Sequence, residues 1–501
     1  AVARLKQARE QGEKVVIYGD YDIDGLSATA LLLDAFGKFG FEDVDAFIPN
    51  RFVEGYGMTM GAVDKVRDMG ADLIVTVDTG SLCHAEIAYA TSLGIDTVVT
   101  DHHNVAETPP PSVAAVNPKF SGHSYPFRDL CGAGVAFKLV QALQTELDGL
   151  PDGYEKWLLD LVALGTVADV VPLDHNNRIL VSQGLKRIRA GKMSHGIRAL
   201  FQTARCSAQK AQPFDFGYKI APRINAAGRL DDMSIGIACL LSGSLNEAES
   251  MAGELNDLNQ TRQEIEQEML TDILAECPSA LPSEQTTLCV YRDSFHQGVV
   301  GIVASRLKEK FYRPVFVFAP DDDGNYRGSG RSIAGVHLRD VLDAISKRAP
   351  DIIIKFGGHA MAAGLTLRSG SLKTFGDLFE DIVRSQVNED TLSQTFLTDG
   401  SLKASDITLA NAQLINAQIW GQGFPPPSFA DTFQVLRQQS MGADKKHTKA
   451  WLAKEGQQFE AMFWRCEDTL PRDIRVVYRP TVNEWRGNTE LQLYVDYWEA
   501  A

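Results

Sequence analysis

The chain has 501 residues, of which 44% are hydrophobic and 23% charged, and it carries a formal net charge of −16. That length exceeds one ordinary core, so three or four globular domains are expected, and seven scattered cysteines without a CxxC pair argue against a zinc module and against a secreted disulfide framework. The acidity argues against a protein that coats duplex DNA and by itself favours a small-molecule enzyme, although it leaves room for a narrow basic channel.

The first hundred residues alternate between strand and helix. EKVVIYGDYDIDG reads as a strand ending in a turn, followed by a helical SATALLLDAFGKFG. DVDAFIPN, ADLIVTVDTG and IDTVVTDHH are the next strands, separated by the helices MGAVDKVRDMG and HAEIAYATSLG. Strands alternating with helices of about a dozen residues imply right-handed βαβ units and a parallel sheet. The helices VAFKLVQALQTEL and YEKWLLDLVALGTVADV continue this doubly wound α/β domain to about residue 200, and a helical extension carries the first domain, 1–243, to its end. Residues 244–279 are polar, have no Gly or Pro between Gly253 and Glu276, and read as a long connecting helix. TTLCVYRD, RPVFVFA and DIIIKF are strands of a second, smaller α/β domain over 280–388. The last domain, 389–501, contains the proline cluster GFPPPSF, which marks a further boundary, and then QQFEAMFW, DIRVVYRPTV and LQLYVDYW, whose two-residue period suggests a small β barrel.

Acidic residues recur where the first-domain strands stop. Asp20, Asp22 and Asp24 follow VVIYG, Asp78 follows LIVTV, and Asp101, His102 and His103 follow TVVT. Asp169 follows the apolar run VALGTVA. The crevice beyond the carboxyl ends of parallel strands is where ligands bind in such sheets. A single Asp there is usually a helix N-cap, and a lone DHH tripeptide is little better than chance. The ordered set DxDxDG, VDTG, DHH and VADVV is another matter. Gathered carboxylates repel unless cations neutralise them, and Asp with His but no thiolate suits Mn²⁺ or Mg²⁺. This many ligands suggests two ions, placed to clamp the oxygens of a phosphoryl displacement.

The set resembles the DHH/DHHA1 phosphoesterase superfamily, and the likeness extends over nearly the whole chain. IPNRFVEGYG (48–57), LGTVADVVPLDHNNR (164–178), PRINAAGRLDD (222–232), LNQTRQEIEQ (258–267), HQGVVGIVASRLKE (296–309), GSGRS (328–332), FGGHAMAAGL (356–365) and NEWRGNTELQL (483–493) are similar to its RecJ-type exonuclease branch. The resemblance implies that Asp22 and Asp78 hold one ion, and that Asp24, Asp78, His102 and Asp169 hold the other, Asp78 bridging. His103 would face the scissile phosphate, and Asp20 would support the ligands from behind. Many relatives carry His where this chain has Tyr18, which implies a looser hold on the first ion, and Asn where it has Thr79. Arg51, Arg223, Ser329 and Arg331 match positions for a terminal 5′ phosphate; alone, GSGRS would read as an ordinary turn. Gly357, Gly358 and His359 would lie along the DNA backbone.

The barrel resembles an OB fold, in which Arg479, Trp485, Arg486 and the run Lys445, Lys446, His447 and Lys449 are candidates for a single strand. The implied activity is a single-stranded-DNA-specific 5′-to-3′ exonuclease that releases 5′-mononucleotides in DNA repair and recombination. Two alternatives stay open: a phosphodiesterase of short oligonucleotides or cyclic dinucleotides, and a metal-dead replication scaffold. The implied partners are a DNA strand with a 5′ end, a single-strand-binding protein and a RecQ-type helicase, around a monomer. No apolar run is long enough for a bilayer and no signal-peptide pattern opens the sequence, so a cytoplasmic location is expected. The start at Ala1 rather than Met is read as the start of a fragment.

Overall fold

The computed structural model describes all residues except 51–53, 55–56, 152, 278–280, 283, 443–444 and 486, together with the side chain at 485. The chain divides into two compact units. One comprises Ala1–Pro222, Gly236–Ala252 and Phe396–Ala501; the other comprises Arg223–Ile235 and Gly253–Thr395.

In the first unit β1 (Val15–Gly19), β2 (Val44–Phe47), β3 (Leu73–Val77), β4 (Asp96–Thr100) and β5 (Ala114–Val116) form a wholly parallel sheet in the order β2-β1-β3-β4-β5. Every residue of β1 and β3 is buried, as the unbroken apolar runs VVIYG and LIVTV require of strands covered on both faces. The register does the positioning. Gly19 pairs with Val77, and Val77 with Thr100, so Asp20, Asp78 and Asp101 leave three adjacent strands at one level. Strands lie ~4.8 Å apart, which brings groups far apart in sequence within reach of one another.

The barrel belongs to the same unit. Its strands are β11 (Phe429–Met441), β12 (His447–Lys454), β13 (Gln457–Phe463), β14 (Asp473–Trp485) and β15 (Asn488–Ala500), closed in the order β11-β12-β13-β15-β14. Alternation put β13 to β15 in plain view of the sequence reading. β11 and β12 are polar and basic on their outer faces and gave a weaker signal. Ahead of the barrel, Gly421–Phe424 packs on the loop after Asp169: Leu173 N–H donates to Gln422 O at 2.7 Å and the Arg178 guanidinium covers the Phe424 ring at 4.0 Å.

In the second unit β6 (Leu288–Tyr291), β7 (Val315–Pro320), β8 (Tyr326–Arg331), β9 (Ile353–Gly358) and β10 (Ala362–Leu367) form a mixed sheet, β6-β7-β8-β10-β9, parallel only between β6 and β7. Its core is a phenylalanine cluster, Phe316, Phe318, Phe375 and Phe379. GSGRS lies in β8 and its end, not in a turn. Gly328 and Gly330 are in that strand because a Cβ at either would fall within 2.5 Å of the Phe318 or Phe316 ring. The long helix, Leu245–Glu276, starts in the first unit and continues into the second.

Candidate metal centre and end-binding residues

Asp22 caps the helix Ile23–Phe39, accepting from Asp24 N–H at 2.9 Å and Gly25 N–H at 3.2 Å. It is an N-cap as well as a candidate ligand. Asp24, the second residue of that helix, is fully buried and accepts from the N–H groups of Gly132 and Ala133 at 2.5 and 3.0 Å. Those are the first residues of the helix Gly132–Gln144, so a helix N-terminus faces this carboxylate. The CGAG tetrapeptide at 131–134 is a functional feature that the sequence reading passed over, and its paired glycines were the available signal. A Cβ at Gly132 would lie 2.6 Å from Asp78 Cβ, and one at Gly165 would lie 2.5 Å from Asp24 Oδ1. The carboxylates occupy the room that these two glycines leave.

Three groups of ligand atoms each fall within 4.8 Å: Asp20, Asp22 and Asp78; Asp24, His102 and Asp169; and Asp78, His102 and His103. His102 Nε2 lies 2.9 Å from Asp78 Oδ1, 3.5 Å from Asp169 Oδ2 and 3.9 Å from Asp24 Oδ2. Asp78 thus takes part in an all-carboxylate group and in one containing imidazole. Asp20, read as a supporting residue, offers an oxygen in the same group as Asp22. Tyr18 is turned away from any such role, because its hydroxyl donates to Gly57 O at 3.1 Å.

Burial, and then the charge of neighbouring aspartates, pushes the carboxyls of Asp24, Asp78 and Asp169 upward. Burial, with His103 beside it, pulls the His102 imidazole down to about 3, so it is neutral and its ring nitrogen can ligate. Asp78 Oδ1, Asp169 Oδ2 and His102 Nε2 are buried and have no hydrogen-bond partner among the described residues. Buried acceptors without donors are costly unless a cation satisfies them, and oxygen with imidazole is the donor set of Mn²⁺ or Mg²⁺. The residues fit the ions.

Asp101 is otherwise committed. Its carboxylate accepts from Ser81 N–H at 2.9 Å, His102 N–H at 2.7 Å, His103 N–H at 3.0 Å and His103 Nδ1 at 2.9 Å. Burial alone would raise it, but His103 and the backbone donors hold it far below the ordinary range. The same contact works on His103: burial opposes its charge, and Asp101 overcomes that and raises its pKa. Asp101 therefore favours the protonated form of His103 beside the ligand cluster.

The second unit carries most of the end-binding candidates. Ser329 and Arg331 lie against the N-terminus of the helix Val300–Phe311: a Cβ on Gly301 would fall 2.9 Å from Ser329 Oγ and 3.1 Å from Arg331 Nη2. Arg331 donates to Ser329 Oγ at 3.1 Å and Gly330 O at 2.8 Å, and no carboxylate pairs with it among the described residues. Burial lowers its pKa. A guanidinium with no carboxylate partner among the described residues, beside a helix N-terminus without a side-chain cap, is chemically suited to an anion. Arg223 donates to Asn256 Oδ1 at 3.2 Å. Gly358, at φ 139°, is required by the protein itself, since a Cβ would meet Ala362 O at 2.5 Å, whereas Gly357 faces open space. His359 sits in the β9–β10 turn, its N–H donating to Ala362 O at 2.8 Å. Arg51, Arg486 and the Trp485 side chain lie outside the described residues.

On the barrel Arg479 is paired with Asp496 at 2.7 and 2.8 Å and covers the Tyr494 ring at 4.7 Å. Lys449 pairs with Glu460 at 2.7 Å beside Trp451, which Arg437 covers at 3.6 Å.

Family models match three stretches: the DHH family N-terminal domain over residues 14–166, the DHHA1 domain over 284–385 and the RecJ OB domain over 398–497. The chain is similar to the single-stranded-DNA-specific exonuclease RecJ of Escherichia coli, at 44% identity over 99% of this chain and 89% of the relative. Among solved structures it is similar to RecJ from Thermus thermophilus in complex with Mn²⁺, with a TM-score of 0.84 and 31% identity over 100% of this chain and 71% of that one. The Mg²⁺ complex from the same organism gives a TM-score of 0.78 and 29% identity, covering 100% and 69%.

Proposed function

The chain belongs to the RecJ family of DHH phosphoesterases, and we infer that it is a metal-dependent exonuclease specific for single-stranded DNA, working from the 5′ end and releasing 5′-mononucleotides. The observation that carries this reading is the cluster around Asp78, where buried carboxylate and imidazole atoms have no hydrogen-bond partner among the described residues. Asp20, Asp22 and Asp78 would hold one divalent ion, Mn²⁺ or Mg²⁺, and Asp24, Asp78, His102 and Asp169 a second. Such ions supply Lewis acidity, activating water and offsetting charge that gathers on the phosphate oxygens.

The chain's own groups do the rest. Neutral His102 and the helix N-terminus behind Asp24 keep the ligands in place. His103, biased toward its charged form by Asp101, would face the scissile phosphate and donate a proton to the departing 3′ oxygen. Arg331, Ser329 and the backbone N–H groups at Gly301 take the terminal phosphate, with Arg223 and Arg51 as further cations. Arg331 supports this assignment because an arginine with no carboxylate partner among the described residues gains most from a doubly charged end group. His359 and Gly357 meet the backbone near the cut. A single-strand-binding protein and a RecQ-type helicase are the partners, and the cytoplasm the compartment, that the family likeness supports for a monomer; no helix among the described residues is long and apolar enough to cross a membrane.

A strand labelled at one end or the other, incubated with and without Mn²⁺, tests the reading. Metal-dependent loss of the 5′ label as mononucleotide is expected. Release from the 3′ end, or preference for a dinucleotide over a long 5′-phosphorylated strand, overturns it.

A further inference from the structure

A ring pair outside the metal cluster has no role in the chemistry above. Pro213–Asp215 forms a single helical turn that runs into a π-helical turn, Phe216–Ile220. The wider turn buries Phe216 and Ile220 and turns Tyr218 out, 72% exposed, beside Phe214 of the preceding turn, 57% exposed. Their rings stack on each other at 4.5 Å and 18°. Two large rings stacked in water are an open platform, and π-helical turns are common at functional sites.

The surroundings indicate what the platform takes. A Cβ at Gly217 would touch Val167 Cγ1 at 3.8 Å, so the turn packs on the helix Leu159–Ala168, whose end carries Asp169. On the other side Lys210, just ahead of the turn, pairs with Glu484 of β14. Tyr494 lies on β15, the strand paired with β14. From Tyr494 the rings continue to Trp464 at 6.5 Å and from Trp464 to His447 at 4.8 Å. Cations flank the row, each also paired with a carboxylate: Lys219, 5.9 Å from the Phe214 ring, with Asp215 at 2.6 Å, and Arg479, 4.7 Å from that of Tyr494, with Asp496 at 2.7 Å.

We propose that Phe214 and Tyr218 form a base-stacking platform that carries the unpaired strand from the metal centre to Tyr494 and Trp464 on the barrel. Planar rings with guanidinium and ammonium groups beside them match a single-stranded polyanion whose bases stack and whose phosphates pair, without regard to sequence. Both rings are exposed, so their removal leaves the fold intact. The proposal rests on the exonuclease reading and specifies where the substrate beyond the cut is held.

The test compares kcat/KM in Mn²⁺ on a 5′-phosphorylated trinucleotide and on a long 5′-phosphorylated strand. For the wild-type chain kcat/KM rises with length. In a Phe214→Ala/Tyr218→Ala double variant that rise shrinks about tenfold, mainly through KM, and Tyr218→Trp restores it. A wild-type chain that degrades neither substrate removes the exonuclease reading itself. A wild-type chain that is active, with a double variant that keeps the full length dependence, overturns the platform alone and leaves the rings to a protein partner.

Discussion

At Asp78 the backbone takes a left-handed conformation, φ 62°, which costs an L-residue roughly 1–2 kcal/mol. Strain of this kind persists where the surroundings over-determine it, and here it aims one carboxylate at both ligand groups. Asp78→Ala is therefore expected to remove cleavage, with a fall in kcat of at least about a thousandfold; near-normal release of labelled nucleotide would refute the shared role. Asp101 acts at one remove. Its hydrogen bond raises His103, so the imidazolium survives to higher pH than an ordinary histidine and is lost as pH climbs through that raised value. Asp101→Asn lowers the His103 pKa, so the alkaline limb of the kcat profile at saturating Mn²⁺ moves to lower pH. An unmoved limb would separate His103 from the proton-transfer step. The aspartates and histidines were legible in the sequence because they end apolar strands in a fixed order. The partners that set their charge were not, since Gly132 and Ser81 reach them only through tertiary packing.

Among elements, the helix Gly132–Gln144 has the narrowest tolerance. Gly132→Ala would drive a methyl group into Asp78, and overpacking of this kind costs typically ~1–3 kcal/mol. Its expected outcome is a lower melting temperature and weaker Mn²⁺ binding by calorimetry; wild-type values for both would show that Asp78 can move aside. The segment leading into the barrel matters at the same scale. Gly421–Phe424 braces Pro172–Leu173, three to four residues beyond Asp169, so truncation at residue 396 should lower Mn²⁺ affinity as well as DNA affinity. From the sequence the proline cluster reads only as a boundary. Its contact with the loop after Asp169 spans about 250 residues, and no local pattern encodes such a pairing. The same limit explains GSGRS, where local glycine content suggests a turn and the rings of Phe316 and Phe318 decide for a strand.

The molecule as a whole keeps several buried carboxyls near one another, and its stability should depend on pH and metal accordingly. The carboxyls of Asp24, Asp78 and Asp169 lie higher in the folded chain than in the unfolded one. Their contribution is present below the ordinary aspartate range near ~4 and is lost as pH rises through the folded values, about 6 for Asp24. In a chelator the melting temperature should fall between pH 5 and 8, and Mn²⁺ at ~100 times its Kd should add ~2.7 kcal/mol. A metal-free melting temperature that climbs over that interval would contradict the shared burial. The closed barrel has one more consequence. With β14 bonded to both β11 and β15, every rim strand has neighbours on both sides, so the barrel displays sticky rings to solvent without offering an unpaired border to another copy of itself. The unpaired borders are instead β2, β5, β6 and β9, and conditions that loosen the two open sheets, rather than the barrel, are where aggregation should begin.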